Sequence, residues 1–381
     1  MPVTADTAFR WNSVSKMHTA IAAMQLVEEG ALDLHEPITT YVPQIKLSGE
    51  HDASELTLHQ CLAHTAALPD LWYSECTSDL DDWWTGWEPE LLVEPDVVFN
   101  YSSSNTSLAG YVLEEVVGKP YVDLMAQQVL EPAGMEGATF SPEAVQGSYA
   151  IGYSNGEYFA PNLYDCPFLR PAGWLHASVV DLAYLAEQFL DDGGAILTAD
   201  SVAAMADQVD TRHALRPRHG YGQFNWVHHG VPIVGHSGSG VGQTSYWMYA
   251  PDKGFAVALA ANSMHFDPWQ VAERAADLFL DCSSDWDEPD LATDPSSWGV
   301  YVGTYEDPVN VGTIEVTLDE NLLHIRFLDG SNVQRRLYQY GLDEFFFEYD
   351  DTRDRIRFFA GEEGDIRYLV NEYYVGARQG R

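Results

Sequence analysis

FRWNSVSKMHTAIAAMQLVEEGALDLHEPITTYVP, residues 9–43, carries two signals in one element. Ile21, Met24 and Val27 recur at three-residue intervals, an apolar stripe at helical spacing, and Gly30 follows as a stop, so a helix is predicted over 14–29. Ser13 stands at its origin. Lys16, three residues on, falls on the same face about one turn away, within reach of the Ser13 hydroxyl. A hydroxyl is a poor nucleophile until a base takes its proton, and this spacing supplies the base within one helix. The helix N-terminus also favours negative charge developing nearby.

Outward from this element, further helices are expected at 107–117, 120–130 and 181–191, the last with Ser178 and Asp181 in capping-box spacing. Asp267-Pro268 opens another, running to about Leu280. Between 223 and 262 the apolar runs Phe224–Val227, Val231–Val234, Thr244–Ala250 and Phe255–Ala261 are separated by His229-Gly230 and by residues 251–254, the pattern of an antiparallel meander. Helices flank it in sequence, so the fold class is α+β, an antiparallel sheet with helices packed on it. Residues 283–297, SSDWDEPDLATDPSS, read as a linker. Beyond them short alternating runs (Thr313–Leu318, Leu322–Phe327, Val333–Tyr338, Glu344–Tyr349, Arg355–Phe359) predict a small antiparallel barrel or sandwich. The expected domains are therefore 1–282 and 298–381.

The composition, 46% hydrophobic and 13% aromatic over 381 residues, is that of a globular chain. There is no apolar run of about eighteen residues and no basic stretch leading into an apolar core, so the chain as given reads as soluble, untargeted and cytoplasmic, without a membrane partner. Acidic residues number 58 against 19 basic ones, a formal charge of -39, and the only lysines are Lys16, Lys46, Lys119 and Lys253. Such self-repulsion is relieved by salt, whose Debye length falls to roughly 3 Å at 1 M, so a halophilic setting is one reading and an acidic protein of an ordinary compartment the other. Nucleic acid is excluded as a partner by charge. Cys61, Cys76, Cys166 and Cys282 include no CxxC pair, which argues against a zinc or redox site and for idle thiols, with one disulfide left open. His228-His229 lacks the HExxH spacing that turns two imidazoles to one ion, so no metal site is expected.

Residues 9–43 resemble, nearly position by position, the nucleophile helix of the β-lactamase and penicillin-binding family, in particular its class C-like branch. LTLHQCLAHTAALPDL, residues 56–71, is similar to that family's LLxHTSGLP segment, with His64 and Thr65 in register and His64 implied as a packing residue. Tyr101-Ser102-Ser103, followed by Leu108-Ala109-Gly110, resembles the family's Tyr-x-Asn element; Ser103 stands at the asparagine position and Asn105 two residues beyond it. His236-Ser237-Gly238, then Ser239, stands where the family has Lys-Thr-Gly.

The resemblance, over about residues 4–282, implies a β-lactamase/transpeptidase-like fold followed by a lipocalin-like C-terminal barrel. It implies catalysis by Ser13, Lys16 and Tyr101, an oxyanion hole from the backbone N–H groups of Ser13 and Ser239, and substrate contacts from Ser103, His236, Ser237 and Gly238. Lysine and tyrosine both titrate near 10 when unperturbed, so one of the Lys16–Tyr101 pair must be shifted at about 1.4 kcal/mol per unit. Relatives normally carry a helix and two strands ahead of the nucleophile helix. Here twelve residues precede Ser13, so either the sequence is truncated, in which case secretion becomes possible, or an otherwise bare sheet edge is covered.

Ser103 and a mostly neutral His236 serve the acylamino group and carboxylate of a β-lactam poorly. The expected activity is therefore hydrolysis of small esters or D-amino-acid peptides and amides through an acyl-enzyme, without cofactor. A β-lactamase or D,D-peptidase is the alternative, and a catalytically inactive peptide- or peptidoglycan-binding relative the second. Oligomeric state is left open. Trp72, Tyr73, Trp83, Trp84 and Trp87 form either a lid over an acyl pocket or an insertion packed on the body. Arg212, Arg216 and Arg218 read as a solvated or salt-bridged loop, or as a site for an anionic substrate group.

Overall fold

A computed structural model describes residues 2–70, 76, 78–145, 147–159, 165–207, 218–280, 295–308, 311–329, 332–341, 343–349, 352–361, 364–371 and 374–379. The predicted first helix spans Ser15–Glu28, preceded by a 3-10 turn over Asn12–Val14. Eleven of its fourteen residues are buried, Lys16 and His18 among them. A helix enclosed on nearly all sides is a core element, and this one packs against Ser103–Val117 and Arg170–Gly173. Gly110 explains its own place in the Leu-Ala-Gly run: a Cβ there would meet Pro171 Cγ at 2.3 Å, so only glycine lets these two helices touch.

The meander forms a five-stranded antiparallel sheet in the order Arg218–His219, Phe224–His228, Val231–Gly240, Gln243–Ala250, Phe255–Ala261. Its two faces divide by the alternation of side chains. Val234, Trp247 and Tyr249 join the core built on the first helix, whereas Val231, Ile233, Tyr246 and Met248 pack with Ala272 and Ala276 of the Pro268–Phe279 helix. Covered on both faces, Gln243–Ala250 is buried throughout. Among the described residues, Phe255–Ala261 is the last strand on that side of the sheet.

Beyond a 3-10 helix at Pro295–Tyr301, nine antiparallel strands form a nearly closed barrel around Tyr305, Ile325, Phe345 and Leu369. Gly303–Asp307, Ile366–Asn371 and Val375–Gln379 belong to it as well. Phe359, Val370 and Val375 of this barrel join the core of the first domain, so the two parts share apolar contacts. Residues 283–294 of the expected linker lie outside the described residues.

Cys76 and Cys166 form a disulfide across 90 positions, which overturns the expectation of idle thiols for that pair. Cys61 is a free, buried thiol, and Cys282 lies outside the described residues. Closing a loop of that length contributes about 4–5 kcal/mol by restricting the unfolded chain.

Candidate active site

Three elements bring the site together. The first is the turn that enters the Ser15–Glu28 helix. Asn12 takes a left-handed conformation (φ 47°), which asparagine tolerates better than most residues, and its side-chain amide donates to the Gln243 carbonyl oxygen at 3.2 Å. This fixes Ser13 at the cleft wall. Lys16 Nζ then lies 3.2 Å from Ser13 Oγ, donates to the Ala172 carbonyl oxygen at 3.0 Å, and has Ser103 Oγ at 3.5 Å.

Lys16 is wholly enclosed. Desolvation by burial pulls its amine down from 10.5 to about 7, while the negative charge of Asp70 works in the other direction. The ammonium position sits 4.8 Å from the centroid of the Tyr101 ring. With about half of the amine neutral at pH 7, it can take a proton from the adjacent serine hydroxyl.

The second element is the loop and helix start at Tyr101–Ser103. Ser102 caps the Ser103–Val117 helix by accepting from the Ser104 N–H. The Ser103 N–H donates to Asp70 Oδ1 at 2.7 Å, which places a carboxylate at a helix N-terminus within the cleft. Asn105 turns away from the cleft. Its amide donates to His64 Nδ1 at 3.2 Å, as does the Ser102 N–H. His64 in turn lies against the Tyr101 ring, centroids 4.5 Å apart, so Asn105 and His64 hold the tyrosine from behind.

The third element is the second half of the Val231–Gly240 strand. Its neighbour Phe224–His228 pairs only as far as Gly235, so the backbone edge from His236 onward is open on that side. Gly238 is required by close approach: a Cβ would meet the Trp11 carbonyl oxygen at 2.1 Å. It brings the strand against the Ser13 turn and is not itself among the cleft-lining residues, whereas His236, Ser237 and Ser239 are. His236 Nδ1 donates to the Ser237 carbonyl oxygen at 2.5 Å, leaving Nε2 as acceptor. Burial above all, then Lys16 and His219, hold His236 well below 6.5 and therefore neutral.

These groups surround a cleft of about 500 Å³ whose walls include Trp174, Phe224, Met264 and Tyr374. Tyr374 belongs to the barrel domain. Asp70, Tyr374 and His219 are additions to the residues singled out from sequence; His219 stacks edge-on against Phe224 and is depressed to about 3, chiefly by burial. Of the aromatic segment, Trp83 stacks on Phe168 at 4.0 Å and Trp84 Nε1 donates to Ser107 Oγ. Neither they nor Trp87 line the cleft, so these three are packing residues. Trp72, Tyr73, Arg212 and Arg216, and the Arg218 side chain, lie outside the described residues. No helix is long and apolar enough to cross a membrane among the described residues.

The family model named Beta-lactamase matches residues 1–281. The chain is 28% identical over 290 residues to penicillin-binding protein 4 of Amycolatopsis lactamdurans, covering 68% of this chain and 73% of that protein. It spans about half the length of several other curated relatives it matches. Among solved structures, SurE with D-Leu is 26% identical with a TM-score of 0.77, covering 99% of this chain and 89% of SurE. The octameric penicillin-binding protein homologue from Pyrococcus abyssi is 25% identical with a TM-score of 0.65, covering 99% and 90%.

Proposed function

The chain belongs to the beta-lactamase family, and from that premise we propose that it hydrolyses small D-amino-acid amides, D-peptides or esters through an acyl-enzyme on Ser13. The observation that carries this reading is the 3.2 Å approach of the enclosed, weakly basic Lys16 amine to Ser13 Oγ. Lys16 accepts the hydroxyl proton as Oγ adds to the substrate carbonyl. The oxyanion is met by the backbone N–H groups of Ser13 and Ser239, a pair of donors worth several kcal/mol. Tyr101, packed over Lys16, helps carry the proton to the leaving group, and water then reverses the sequence.

The substrate class follows from the charges in the cleft. His236 is neutral where a permanent cation would receive a carboxylate, Asp70 lines the wall, and the Arg10 guanidinium in the same lining is buried over the Trp174 ring and donates to the Gly173 carbonyl oxygen. That combination disfavours an anionic β-lactam and suits a substrate with a free amino group or no charge. The likeness to SurE, solved with D-Leu, supports D-configured residues as ligands. Likeness to penicillin-binding protein 4 favours a D,D-peptidase as the second reading. The Cys76–Cys166 disulfide supports an oxidising compartment, against the cytoplasmic expectation.

The test is a panel of p-nitrophenyl esters, D-amino-acid amides and nitrocefin, assayed in low and molar salt with Ser13→Ala alongside. Turnover of amides or esters above nitrocefin, and fluorophosphonate labelling abolished by the substitution, is the expected result. Faster nitrocefin hydrolysis sinks the substrate assignment, and labelling that survives Ser13→Ala sinks the nucleophile.

A further inference from the structure

Away from the cleft, at the opposite end of the Val231–Gly240 strand, a second group of ligating side chains converges on one point. His228 Nε2 lies 2.9 Å from Asp277 Oδ1, and His229 Nε2 lies 3.8 Å from the same oxygen. One ligand atom from each of the three falls within 4.8 Å of the others. Glu273 Oε1 stands 3.9 Å from His228 Nδ1, on the other side of that ring.

Two adjacent histidines in a regular strand would point to opposite faces. Here the chain breaks that rule, because His229 occupies the hairpin turn in a left-handed conformation (φ 46°) and Gly230 follows at φ 84°. The turn swings the second imidazole back beside the first, with ring centroids 4.5 Å apart. HExxH spacing on a helix is one way to aim two imidazoles at a single point; a left-handed hairpin residue is another. Asp277 and Glu273 are four apart on the Pro268–Phe279 helix and therefore share a face.

We propose that His228, His229 and Asp277 form a binding site for a divalent transition metal of the zinc class. Two neutral imidazole nitrogens and one carboxylate are the donor set that suits zinc, cobalt and nickel, whereas magnesium and calcium prefer all-oxygen shells. Ligands held about 2.0–2.1 Å from a tetrahedral ion stand roughly 3.3 Å apart. The widest pair must therefore close by about 1.5 Å. The exposed His229 and half-exposed Asp277 can move this far by side-chain rotation while buried His228 serves as the anchor. Arg274, 3.6 Å from Asp277 and largely exposed, swings aside. The fourth position falls to water, and the charge of -39 raises the local concentration of cations. The ion would tie the hairpin to the helix. From Val231 to His236 the strand covers about 17 Å at about 3.3 Å per residue, so the ion is structural with respect to the reaction.

The test uses the full chain without a histidine tag, stripped with a chelator, and titrated calorimetrically with zinc and cobalt. His229→Asn removes the imidazole but keeps a residue suited to the left-handed turn, and Asp277→Asn removes the carboxylate. One zinc per chain, a rise in Tm, a tetrahedral cobalt spectrum, and at least tenfold weaker binding in His229→Asn with an unchanged apo Tm are expected. Binding weakened less than tenfold by His229→Asn, or a magnesium response equal to the zinc response, would overturn the proposal. Should Asp277→Asn lower the apo Tm, the decision rests on His229→Asn alone.

Discussion

Asp70→Asn should move the acid limb of the kcat/KM profile to lower pH. Burial takes the Lys16 amine from 10.5 to about 7, a difference of 3.5 units, and Asp70 is the charge that opposes the fall. At 1.36 kcal/mol per unit the environment favours the neutral amine by about 5 kcal/mol relative to water. If Lys16 is the base, kcat/KM in the parent is half-maximal near pH 7 and falls to about one tenth of its plateau at pH 6, because it follows the neutral fraction in free enzyme. Asparagine retains an oxygen that can accept the Ser103 N–H at 2.7 Å, so the cleft keeps its shape while losing the charge. The charged form of Lys16 then loses its support, and the limb shifts to the acid side. The assay is kcat/KM for an uncharged ester from pH 5 to 9 at fixed ionic strength. A parent limb far from pH 7, or a limb in Asp70→Asn that stays put or moves upward, refutes the assignment of Lys16 as base.

Three other outcomes follow from the same geometry. Lys16→Met should abolish turnover yet stabilise the fold by about 2 kcal/mol at pH 7 in urea titration. A folded-state value depressed from 10.5 to about 7 means that only the unfolded chain gains a proton in that window, and about 5 kcal/mol recovered exceeds three lost hydrogen bonds of about 1 kcal/mol each; a less stable variant counts against a buried neutral amine. Burial depresses His18 to about 4 and His176 and His219 to about 3, so protons bind the unfolded chain first below pH 6.5. Stability should fall towards pH 4 by up to about 1.4 kcal/mol per unit for each histidine, read as Tm against pH, and a flat Tm contradicts this. Gly238→Ala should leave a folded protein whose kcat/KM is at least tenfold lower, because the new methyl, 2.1 Å from the Trp11 carbonyl oxygen, pushes the strand off the Ser13 turn; unchanged kcat/KM would show that this approach does not position the site.

Much of this architecture is legible in the chain because it rests on short-range spacing. The Ser15–Glu28 helix, the Val179–Leu190 helix with its Ser178 cap, and the central strands each follow from periods of 3.6 or 2 and from the Gly and Pro between them. The Val231–Gly240 strand is the instructive exception: its apolar run ends at Val234, yet it extends as a strand through His236-Ser237-Gly238-Ser239. That extension is polar because one edge faces the cleft, so hydrophobicity cannot mark it. Val375–Gln379, paired on both edges, is obscured differently, by Arg and Gln among its five residues.

Sequence alone determined which groups stand one helical turn apart and which strands alternate, since those relations lie within a single element and are set by backbone geometry. Tertiary structure decided the rest. Only folding encloses Lys16 and draws its amine towards neutrality, turns Asn105 onto His64, carries Asp70 and Tyr374 to the cleft, and folds His229 back upon His228. Desolvation and contact between distant segments create these properties, and neither exists until the chain has closed around them.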